Sequence, residues 1–435
     1  MRTISVIGTG YLGATHAAAM AEMGYRVIGV DSDKAKVDLL DQGRTPFFEP
    51  ALEPLIAKHT QSGALRFTDD FSSIAAADVH FVCVGTPQSA GADRADLSQV
   101  MAAVDTIAEH MSADSLVVGK STVPVGTAAM LRDRLRDATA GQARLAWNPE
   151  FLREGFAVQD TLRPDRIVFG VADPKDGAVL REIYHQQIAA GTPVIETDFA
   201  TAELVKVAAN SFLATKISFI NAMADVCRVT GADVTTLAEA IGYDERIGKQ
   251  FLRAGIGFGG GCLPKDVRAF LARGDELGVG RSLEFLREID EINMRRRTAS
   301  VQIASGMLGD SLLGRRIAVL GVAFKPDSDD VRDSPALNIA AALHLQGAKV
   351  VVHDPKANRN AAGLFPTLTY VETATEALAG ADLTMLLTEW QEFRALDPVA
   401  TAEIVSQPLI FDGRNALDPA RWRRSGWSYV GVGIP

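Results

Sequence analysis

The first thirty-one residues constrain the fold more than any other stretch. An apolar strand predicted over Thr3–Ile7 runs into the glycine turn Gly8–Gly13, a helix is predicted over Ala14–Met23, and the strand Arg26–Val30 ends on Asp31. The glycines admit a pyrophosphate to the helix N-terminus, and the carboxylate can accept hydrogen bonds from ribose hydroxyls. Strand, turn, helix and acid in this order predict a Rossmann unit that binds NAD and not NADP.

The alternation of strands and helices continues beyond this unit. Strands predicted over Asp78–Val84 and Leu116–Gly119 lead to Thr86 and Thr122. Ligands of a doubly wound sheet gather at the carboxyl ends of its strands, so both threonines are candidates to face the dinucleotide. The alternative is a pair of N-cap or turn threonines. Lys36, just after the second strand, is either a ribose contact or a solvated helix residue.

The stretch Gly259–Asp266 places one thiol, Cys262, beside a glycine run, a cation and a carboxylate. Pro264 can start a helix whose N-terminal amides favour a thiolate, and Lys265 adds positive charge. Asp266 lies four residues after the thiol, on the same side of such a helix, where it could hold a water or a proton. We therefore interpret Cys262 as a nucleophile, the alternative being an inert cysteine in a glycine-rich turn.

Two acids, Glu150 and Glu154, follow a strand predicted over Leu145–Trp147. A helix beginning at Pro149 would place both carboxylates on one face of its first turn, where negative charge is favoured. One of them could act as a base toward water, and the alternative is a pair of capping acids.

A long helix is predicted from Thr201 to about Thr230, with apolar residues at helical spacing and no internal glycine or proline. Lys206 and Asn210 lie four residues apart and so share a face. Together they could stabilise an oxyanion, whereas a snorkelling surface lysine is the competing interpretation.

A second βαβ unit is predicted over residues 316–354, but Gly321 has no GxG partner there. This region is therefore expected to resemble the first unit in architecture and to bind something other than a second NAD. Lys325, Arg332 and Arg414 are loop cations suited to a phosphate or a sugar acid, or they face solvent.

Length and charge bound the remaining possibilities. A chain of 435 residues exceeds one ordinary core, so two or three domains are expected. The formal charge of -10 argues against non-specific nucleic-acid binding, and no apolar run is long enough to span a bilayer. The three widely spaced cysteines match neither a disulfide framework nor metal-ligand spacing, so no metal is expected. The N-terminus runs directly into a strand, and the expected compartment is the cytoplasm.

Motifs along essentially the whole chain carry a family resemblance. They are Gly8-x-Gly10-x-x-Gly13, Gly85-Thr86-Pro87, Ser121-Thr122-Val123-Pro124-x-Gly126-Thr127, Asn148-Pro149-Glu150-Phe151-Leu152-Arg153-Glu154-Gly155, Pro164-Asp165-Arg166-Ile167-Val168, Lys206-x-x-x-Asn210, Gly259–Asp266 and Lys325-Pro326-x-Ser328-Asp329-Asp330-x-Arg332. With them the chain resembles the UDP-glucose/GDP-mannose dehydrogenase family, and most of all its UDP-glucose 6-dehydrogenase branch. The resemblance implies an NAD-binding Rossmann domain (1–198), a central helical dimerisation domain (199–309) and a Rossmann-like nucleotide-sugar domain (310–435). The expected assembly is a homodimer or a higher homo-oligomer.

The resemblance also implies the chemistry. A primary alcohol at sugar C6 would be oxidised twice by NAD, with Cys262 forming first a thiohemiacetal and then a thioester that water hydrolyses. The catalytic residues it implies are Cys262, Lys206 and Asn210 at the oxyanion, Asp266 and Thr122 at the water, and Glu150 as base. The implied cofactor contacts are Gly8, Gly10, Tyr11, Leu12, Gly13, Asp31, Lys36, Thr86, Thr122, Glu154, Lys265 and Arg332. The implied substrate contacts are Glu150, Phe151, Leu152, Glu154, Lys206, Asn210, Arg246, Phe251, Leu252, Arg253, Gly255, Gly259, Cys262, Lys325 and Arg414.

The motif around the cysteine departs from the family pattern at two positions. Many relatives have Ser-Cys-Phe-Pro-Lys-Asp, whereas here Gly261 precedes the cysteine and Leu263 follows it. UDP-glucose is the expected substrate, while TDP-glucose, GDP-mannose oxidation and a non-catalytic nucleotide-sugar or NAD-binding role stay open as alternatives.

Overall fold

The structure, a computed structural model, describes residues 2–435 as two compact units. The first unit comprises residues 2–209 with Ala272–Gly278, and the second comprises Asn210–Leu271 with Val279–Pro435. The strands are β1 Thr3–Ile7, β2 Arg26–Val30, β3 Leu65–Thr68, β4 Val79–Val82, β5 Leu116–Gly119, β6 Arg144–Trp147, β7 Ile167–Val171, β8 Val194–Thr197, β9 Arg316–Leu320, β10 Lys349–His353, β11 Thr369–Tyr370, β12 Leu383–Leu386, β13 Leu409–Asp412 and β14 Ser428–Gly431.

The helices separate these strands in an α/β pattern, with a helical stretch in the middle of the chain. They are α1 Tyr11–Glu22, α2 Lys34–Asp41, α3 Leu52–Gln61, α4 Ser98–His110, α5 Thr127–Ala138, α6 Ala157–Leu162, α7 Pro174–Ile183, α8 His185–Ala189, α9 Phe199–Thr230, α10 Val234–Gly242, α11 Leu263–Glu276, α12 Gly280–Met307, α13 Pro335–Leu345, α14 Asn358–Leu364, α15 Ala374–Leu378, α16 Gln391–Arg394, α17 Pro398–Ala402 and α18 Pro419–Arg424. A 3₁₀-helix covers Phe71–Ala76. Within residues 2–435 no helix combines the length and the apolar character that crossing a membrane requires.

The first unit is built on an eight-stranded sheet in the order β3-β2-β1-β4-β5-β6-β7-β8. All neighbouring strands are parallel except β6 and β7, which are antiparallel. The central strands are buried on both faces, as covered parallel sheets are, with one apolar cluster around Val6 and Phe81 and another around Ile7 and Val82. This arrangement brings the ends of β1, β4 and β5 to one edge of the sheet, where the loops that matter for function begin.

The second unit contains a six-stranded, fully parallel sheet in the order β11-β10-β9-β12-β13-β14. Its β9-α13-β10 segment confirms the predicted second βαβ unit. Ser334 accepts a hydrogen bond from Leu337 N as the N-cap of α13, and Pro335 occupies the first helical position. The helical part of this unit is tied together by buried polar contacts, such as Ser218 Oγ donating to Ile289 O at 2.8 Å.

The predicted helix beginning at Pro149 is wrong. Residues 148–155 form an irregular loop, and α6 begins only at Ala157. The side chain of Glu150 turns back to accept a hydrogen bond from Leu152 N at 2.7 Å, which a residue inside a helix could not do in this way. The two acids therefore do not share a helix face. The long helix was predicted correctly and spans Phe199–Thr230.

Candidate active site

The glycine turn of the first unit closes tightly on itself and leaves room above α1. Gly8 has φ of +86°, and a Cβ there would stand 2.7 Å from Val84 Cγ1. A Cβ on Gly13 would stand 1.8 Å from the carbonyl oxygen of Gly8, so this position also requires glycine. Gly10, the N-cap of α1, faces open space instead. The turn therefore has the shape of a cradle for a pyrophosphate at a helix N-terminus, with Tyr11 and Leu12 as the first helical residues.

Asp31 lies directly after β2 and is held in place by several donors. Its Oδ2 accepts hydrogen bonds from Thr9 N at 2.8 Å and from Lys36 Nζ at 2.9 Å, while its Oδ1 accepts from Asp33 N at 3.0 Å. Burial alone would raise the pKa of Asp31, but the hydrogen bonds from Asp33, Lys36 and Thr9 outweigh it and lower that pKa. The lowered pKa keeps this carboxylate charged.

The two threonines predicted near the dinucleotide contact each other. Thr86 Oγ1 donates to Thr122 O at 2.8 Å, which joins the loop after β4 to the loop after β5. Glu203 of α9 stabilises the same region, because its carboxylate accepts from Gly126 N at 2.7 Å and from Ala128 N at 2.6 Å at the start of α5. The pKa of Glu203 is raised mainly by its burial.

The loop after β6 brings Glu150 into a buried ion pair with α9. Lys206 Nζ lies 2.9 Å from Glu150 Oε1, and their side chains are only 6% and 12% exposed. The next residue, Phe151, packs its ring under the guanidinium of Arg166 at 3.8 Å. The sequence predicted Lys206 and Glu150 separately, and the structure shows them as one pair.

Further along this loop, Glu154 is buried and its neighbours are held by residues that sequence reasoning missed. Glu49 accepts hydrogen bonds from Gly155 N and Ala157 N, both at 2.7 Å, and Tyr11 Oη accepts from Gly155 N at 3.0 Å. Glu49 lies far from the loop in the chain and in no motif, so the sequence contained no signal for its role.

Lys120 was missed as well, although it precedes the Ser121-Thr122 motif. Its buried amine donates to Asn148 Oδ1 at 3.0 Å, and more weakly to Asn148 O and Tyr184 Oη, both at 3.4 Å. Burial lowers the pKa of Lys120 to about 8. The pKa of His16, a residue beside the same cavity, is also lowered by burial and by the charge of Lys120.

In the second unit Cys262 directly precedes α11 and is exposed. Asp266 N donates to Cys262 O at 2.9 Å, so the helix begins at the thiol as predicted. Asp266 is 2% exposed and uses both carboxylate oxygens, Oδ2 accepting from Asn210 Nδ2 and Oδ1 from Lys265 Nζ, each at 2.7 Å. Asn210, Lys265 and Asp266 thus form one hydrogen-bonded group at the start of the thiol's helix.

The glycines before Cys262 are required by close neighbours. A Cβ on Gly259 would stand 2.3 Å from Asp333 O, and one on Gly261 would stand 2.4 Å from the guanidinium carbon of Arg332. Glycine at position 261, one of the two departures from the family pattern, therefore makes room for Arg332. That arginine also forms a bidentate contact with Asp330.

Arg414 differs from the other predicted substrate cations because its guanidinium is buried. It donates to Leu387 O at 2.7 Å, Gly257 O at 3.0 Å and Phe324 O at 3.2 Å, and burial lowers its pKa. The segment before Arg414 packs closely against Gly255, because a Cβ on Gly255 would stand 2.9 Å from Gly413 O.

The remaining candidates belong to the second unit and range from exposed to buried. Arg253 and Arg246 have side chains that are 71% and 89% exposed, the former 3.6 Å from Glu389 and the latter paired with Asp244. Lys325 lies 5.4 Å from the ring centre of Phe324. The other two are the buried Leu252 and the exposed Phe251, the latter with a φ of +64°.

Comparison with known proteins identifies relatives over the full chain. Three family models match, described as the NAD binding domain (residues 2–188), the central domain (200–295) and the UDP binding domain (318–419) of the UDP-glucose/GDP-mannose dehydrogenase family. A UDP-glucose 6-dehydrogenase of Rhizobium meliloti is 41% identical, covering 99% of both chains, and one of Bacillus subtilis is 40% identical, covering 99% of this chain and 97% of the relative. A solved UDP-glucose dehydrogenase from Pyrobaculum islandicum superposes with a TM-score of 0.91 at 37% identity, covering 100% of this chain and 98% of the other.

Replacing Asp31 tests the cofactor site. Loss of hydrogen bonds to a charged acceptor, about 1.5–3 kcal/mol, should weaken NAD binding by about 10- to 100-fold and reduce the preference for NAD over NADP. Titration of Asp31→Ser with each dinucleotide measures both effects, and Asp38→Ser, an exposed acid on α2, is the matched control. Unchanged NAD affinity in Asp31→Ser would contradict this assignment.

The buried amine of Lys120 should make stability depend on pH. Its pKa is about 8 in the folded chain against an ordinary 10.5, so the unfolded chain binds more protons between these two values. The wild type should therefore gain stability relative to Lys120→Met as pH rises from 8 to 10.5, by on the order of 3 kcal/mol. Urea unfolding of both proteins at pH 7 and pH 10 measures this change. If the stability difference between the wild type and Lys120→Met stays constant with pH, burial does not lower the pKa of Lys120.

Proposed function

Because the chain belongs to the UDP-glucose/GDP-mannose dehydrogenase family and is an NAD-dependent dehydrogenase, we propose that it oxidises UDP-glucose to UDP-glucuronate. The observation that carries this proposal is full-length similarity to UDP-glucose 6-dehydrogenases, joined to an exposed thiol at the start of α11. The residues of the glycine turn and Asp31 would hold NAD, which accepts hydride when bound.

The first oxidation converts the C6 alcohol to an aldehyde, with loss of a hydride and a proton. The Cys262 thiolate then adds to the aldehyde carbon, and the resulting thiohemiacetal loses a second hydride and becomes a thioester. Water attacks the thioester carbonyl, the carbon–sulfur bond breaks, and the carboxylate and the thiolate are released. The balance is one alcohol, one water and two NAD converted into one carboxylate, two NADH and three protons.

Each step needs a group that the chain supplies. Lys206 and Asn210 would donate to the oxygen that becomes negative, since both side chains carry N–H donors and lie on one helix. Glu150, with one oxygen on Lys206, would take a proton from the attacking water. Asp266 and Thr122 would orient that water.

The three-domain division (1–198, 199–309 and 310–435) and the substrate roles of the arginines are part of the same proposal. The division agrees with the three separate family-model matches. Arg414 would then act mainly by fixing the backbone around Gly257, because its donors already meet carbonyl oxygens. Arg253 and Lys325 would bind the diphosphate.

The proposed assembly is a homodimer through α9. Phe212, Phe219 and Val226 are spaced by seven residues on this helix, and they are 66%, 47% and 51% exposed. An apolar row with this period matches the seam between two paired helices and costs free energy when left in water. Arg246, which is 89% exposed, would be available to a neighbouring subunit.

We also propose a reducing compartment such as the cytoplasm. Cys83, Cys227 and Cys262 are not joined in disulfides, and a nucleophilic thiol has to stay reduced to act.

NADH yield tests the reaction. UDP-glucose, TDP-glucose and GDP-mannose are each offered separately with NAD. UDP-glucose should give two NADH per sugar consumed. The NADH yields with the other two show which base and which sugar the protein prefers. One NADH per sugar would contradict the two-step oxidation, and no NADH from any of the three would contradict the proposed substrate class.

Replacing Cys262 tests the covalent route. Cys262→Ser should lose turnover by at least about a thousand-fold, because a serine hydroxyl is a far weaker nucleophile than a thiolate. The buried Cys227→Ser is the matched control and should keep its turnover. A Cys262→Ser protein that still makes two NADH per sugar at the wild-type rate would exclude the thioester.

Charges on the exposed face of α9 test the assembly. The double variant Phe212→Glu/Phe219→Glu should halve the molar mass measured by light scattering, because two pairs of like charges would meet at the seam. Leu345→Glu, at an 85% exposed leucine elsewhere, should leave the mass unchanged. A wild type that is monomeric, or a double variant of unaltered mass, would contradict the proposed interface.

A further inference from the structure

Lys120 occupies a buried position to which the proposed reaction gives no role. It directly follows β5, and its three amine protons face three neutral acceptors, namely Asn148 Oδ1, Asn148 O and Tyr184 Oη. Tyr184 Oη in turn donates to Asn148 Oδ1 at 2.7 Å. A buried ammonium without a carboxylate in hydrogen-bond contact is costly, so packing alone does not explain a lysine here. The side chain instead donates twice to Asn148 and once to Tyr184, which itself donates to Asn148.

Asn148 is fixed by every polar group it has. Its backbone N donates to Gly119 O at 2.8 Å, and its Nδ2 donates to Val168 O at 2.9 Å. The contacts with Lys120 and Tyr184 occupy its two oxygens. The residue therefore ties the loop to β5 and to β7, two positions before Glu150.

On its other side Glu150 is fixed by the following residues. Its Oε2 accepts from Leu152 N at 2.7 Å, and Phe151 packs against Arg166 at 3.8 Å. Only Oε1 of the carboxylate is directed to Lys206. The direction of this carboxylate thus depends on how both ends of a short, irregular loop are held.

Packing does not fill the space beside this loop. A cavity of about 60 Å³ is lined by the loop together with Lys120, His16 and Tyr184. Neither ring nitrogen of the fully buried His16 has a hydrogen-bond partner among residues 2–435. Because space remains here, the loop can shift into it unless polar contacts hold it in position.

We propose that Lys120, acting with Tyr184 through Asn148, is a positioning residue for Glu150. Its donors fix the start of the loop, and the loop holds the Glu150 carboxylate where it can take a proton from water. This inference rests on the proposed function, in which Glu150 is the base of thioester hydrolysis. Loss of the contacts that Lys120 makes with Asn148 and Tyr184 should then slow thioester hydrolysis and leave the rates of both hydride transfers unchanged.

Rapid-mixing kinetics test the inference. Lys120→Met keeps an unbranched side chain and removes the donors. With UDP-glucose and NAD it should give a fast burst of two NADH per active site, followed by a steady rate about 10- to 100-fold below that of the wild type, with KM for UDP-glucose changed less than about threefold. Tyr184→Phe, which loses only a hydroxyl, should show a smaller effect in the same direction and serves if Lys120→Met does not fold.

A second comparison separates positioning from general destabilisation. If Lys120 acts through Glu150, adding Lys120→Met to Glu150→Gln should lower the steady rate by less than about twofold. His80→Gln is the control, because His80 lies in a separate buried network with Ser5 and Ser115 in the same sheet. The His80→Gln variant should have a lower free energy of unfolding and should not show a burst of NADH.

The outcomes are distinguishable. A wild type that does not yield two NADH per sugar overturns the proposed function itself. A wild type that does, with a Lys120→Met variant that shows no burst or that loses the same factor with and without Glu150, overturns the role of Lys120.

Discussion

The buried ion pair between Lys206 and Glu150 is the interaction on which the first unit depends. At 2.9 Å and with little exposure, the two charges attract each other in a setting where burial of a charge is costly. The same helix supplies Glu203, which caps the start of α5. The loop after β5 and the loop after β6 are therefore both joined to α9, by Glu203 and Lys206 respectively.

The second unit keeps a thiol accessible at the first turn of a helix. Cys262 is exposed, while Asp266, one turn later, is buried and fixed by Asn210 and Lys265. Glycines at 259 and 261 let the chain pass close to Asp333 and Arg332. The thiol is thus presented by a rigid backbone, with its polar neighbours held by one another. Rigid presentation of this kind lowers the entropic cost of bringing reacting groups together.

Features determined by residues close in sequence were predicted correctly, whereas features determined by contacts between distant residues were not. The glycine turn, the acid after β2 and the helix after Pro264 were correct, because each is determined by residues close in sequence. The loop around Glu150 was predicted as a helix, and the structure shows why this was wrong. Its shape is set by Glu49, Lys120 and Tyr184, which contact it from distant parts of the chain. Arg414 resembled a free loop cation, but the carbonyl groups that bury it lie on three separate segments.

In the proposed reaction the substrate becomes covalently attached to Cys262. Acid quenching of the protein within its first turnover with NAD and UDP-glucose, followed by digestion and mass spectrometry, tests it most directly. The peptide containing Cys262 should carry a thioester-linked uronyl nucleotide, and the adduct should disappear when hydroxylamine is added. Two NADH formed per sugar without any adduct at Cys262, or with an adduct on another residue, would contradict it.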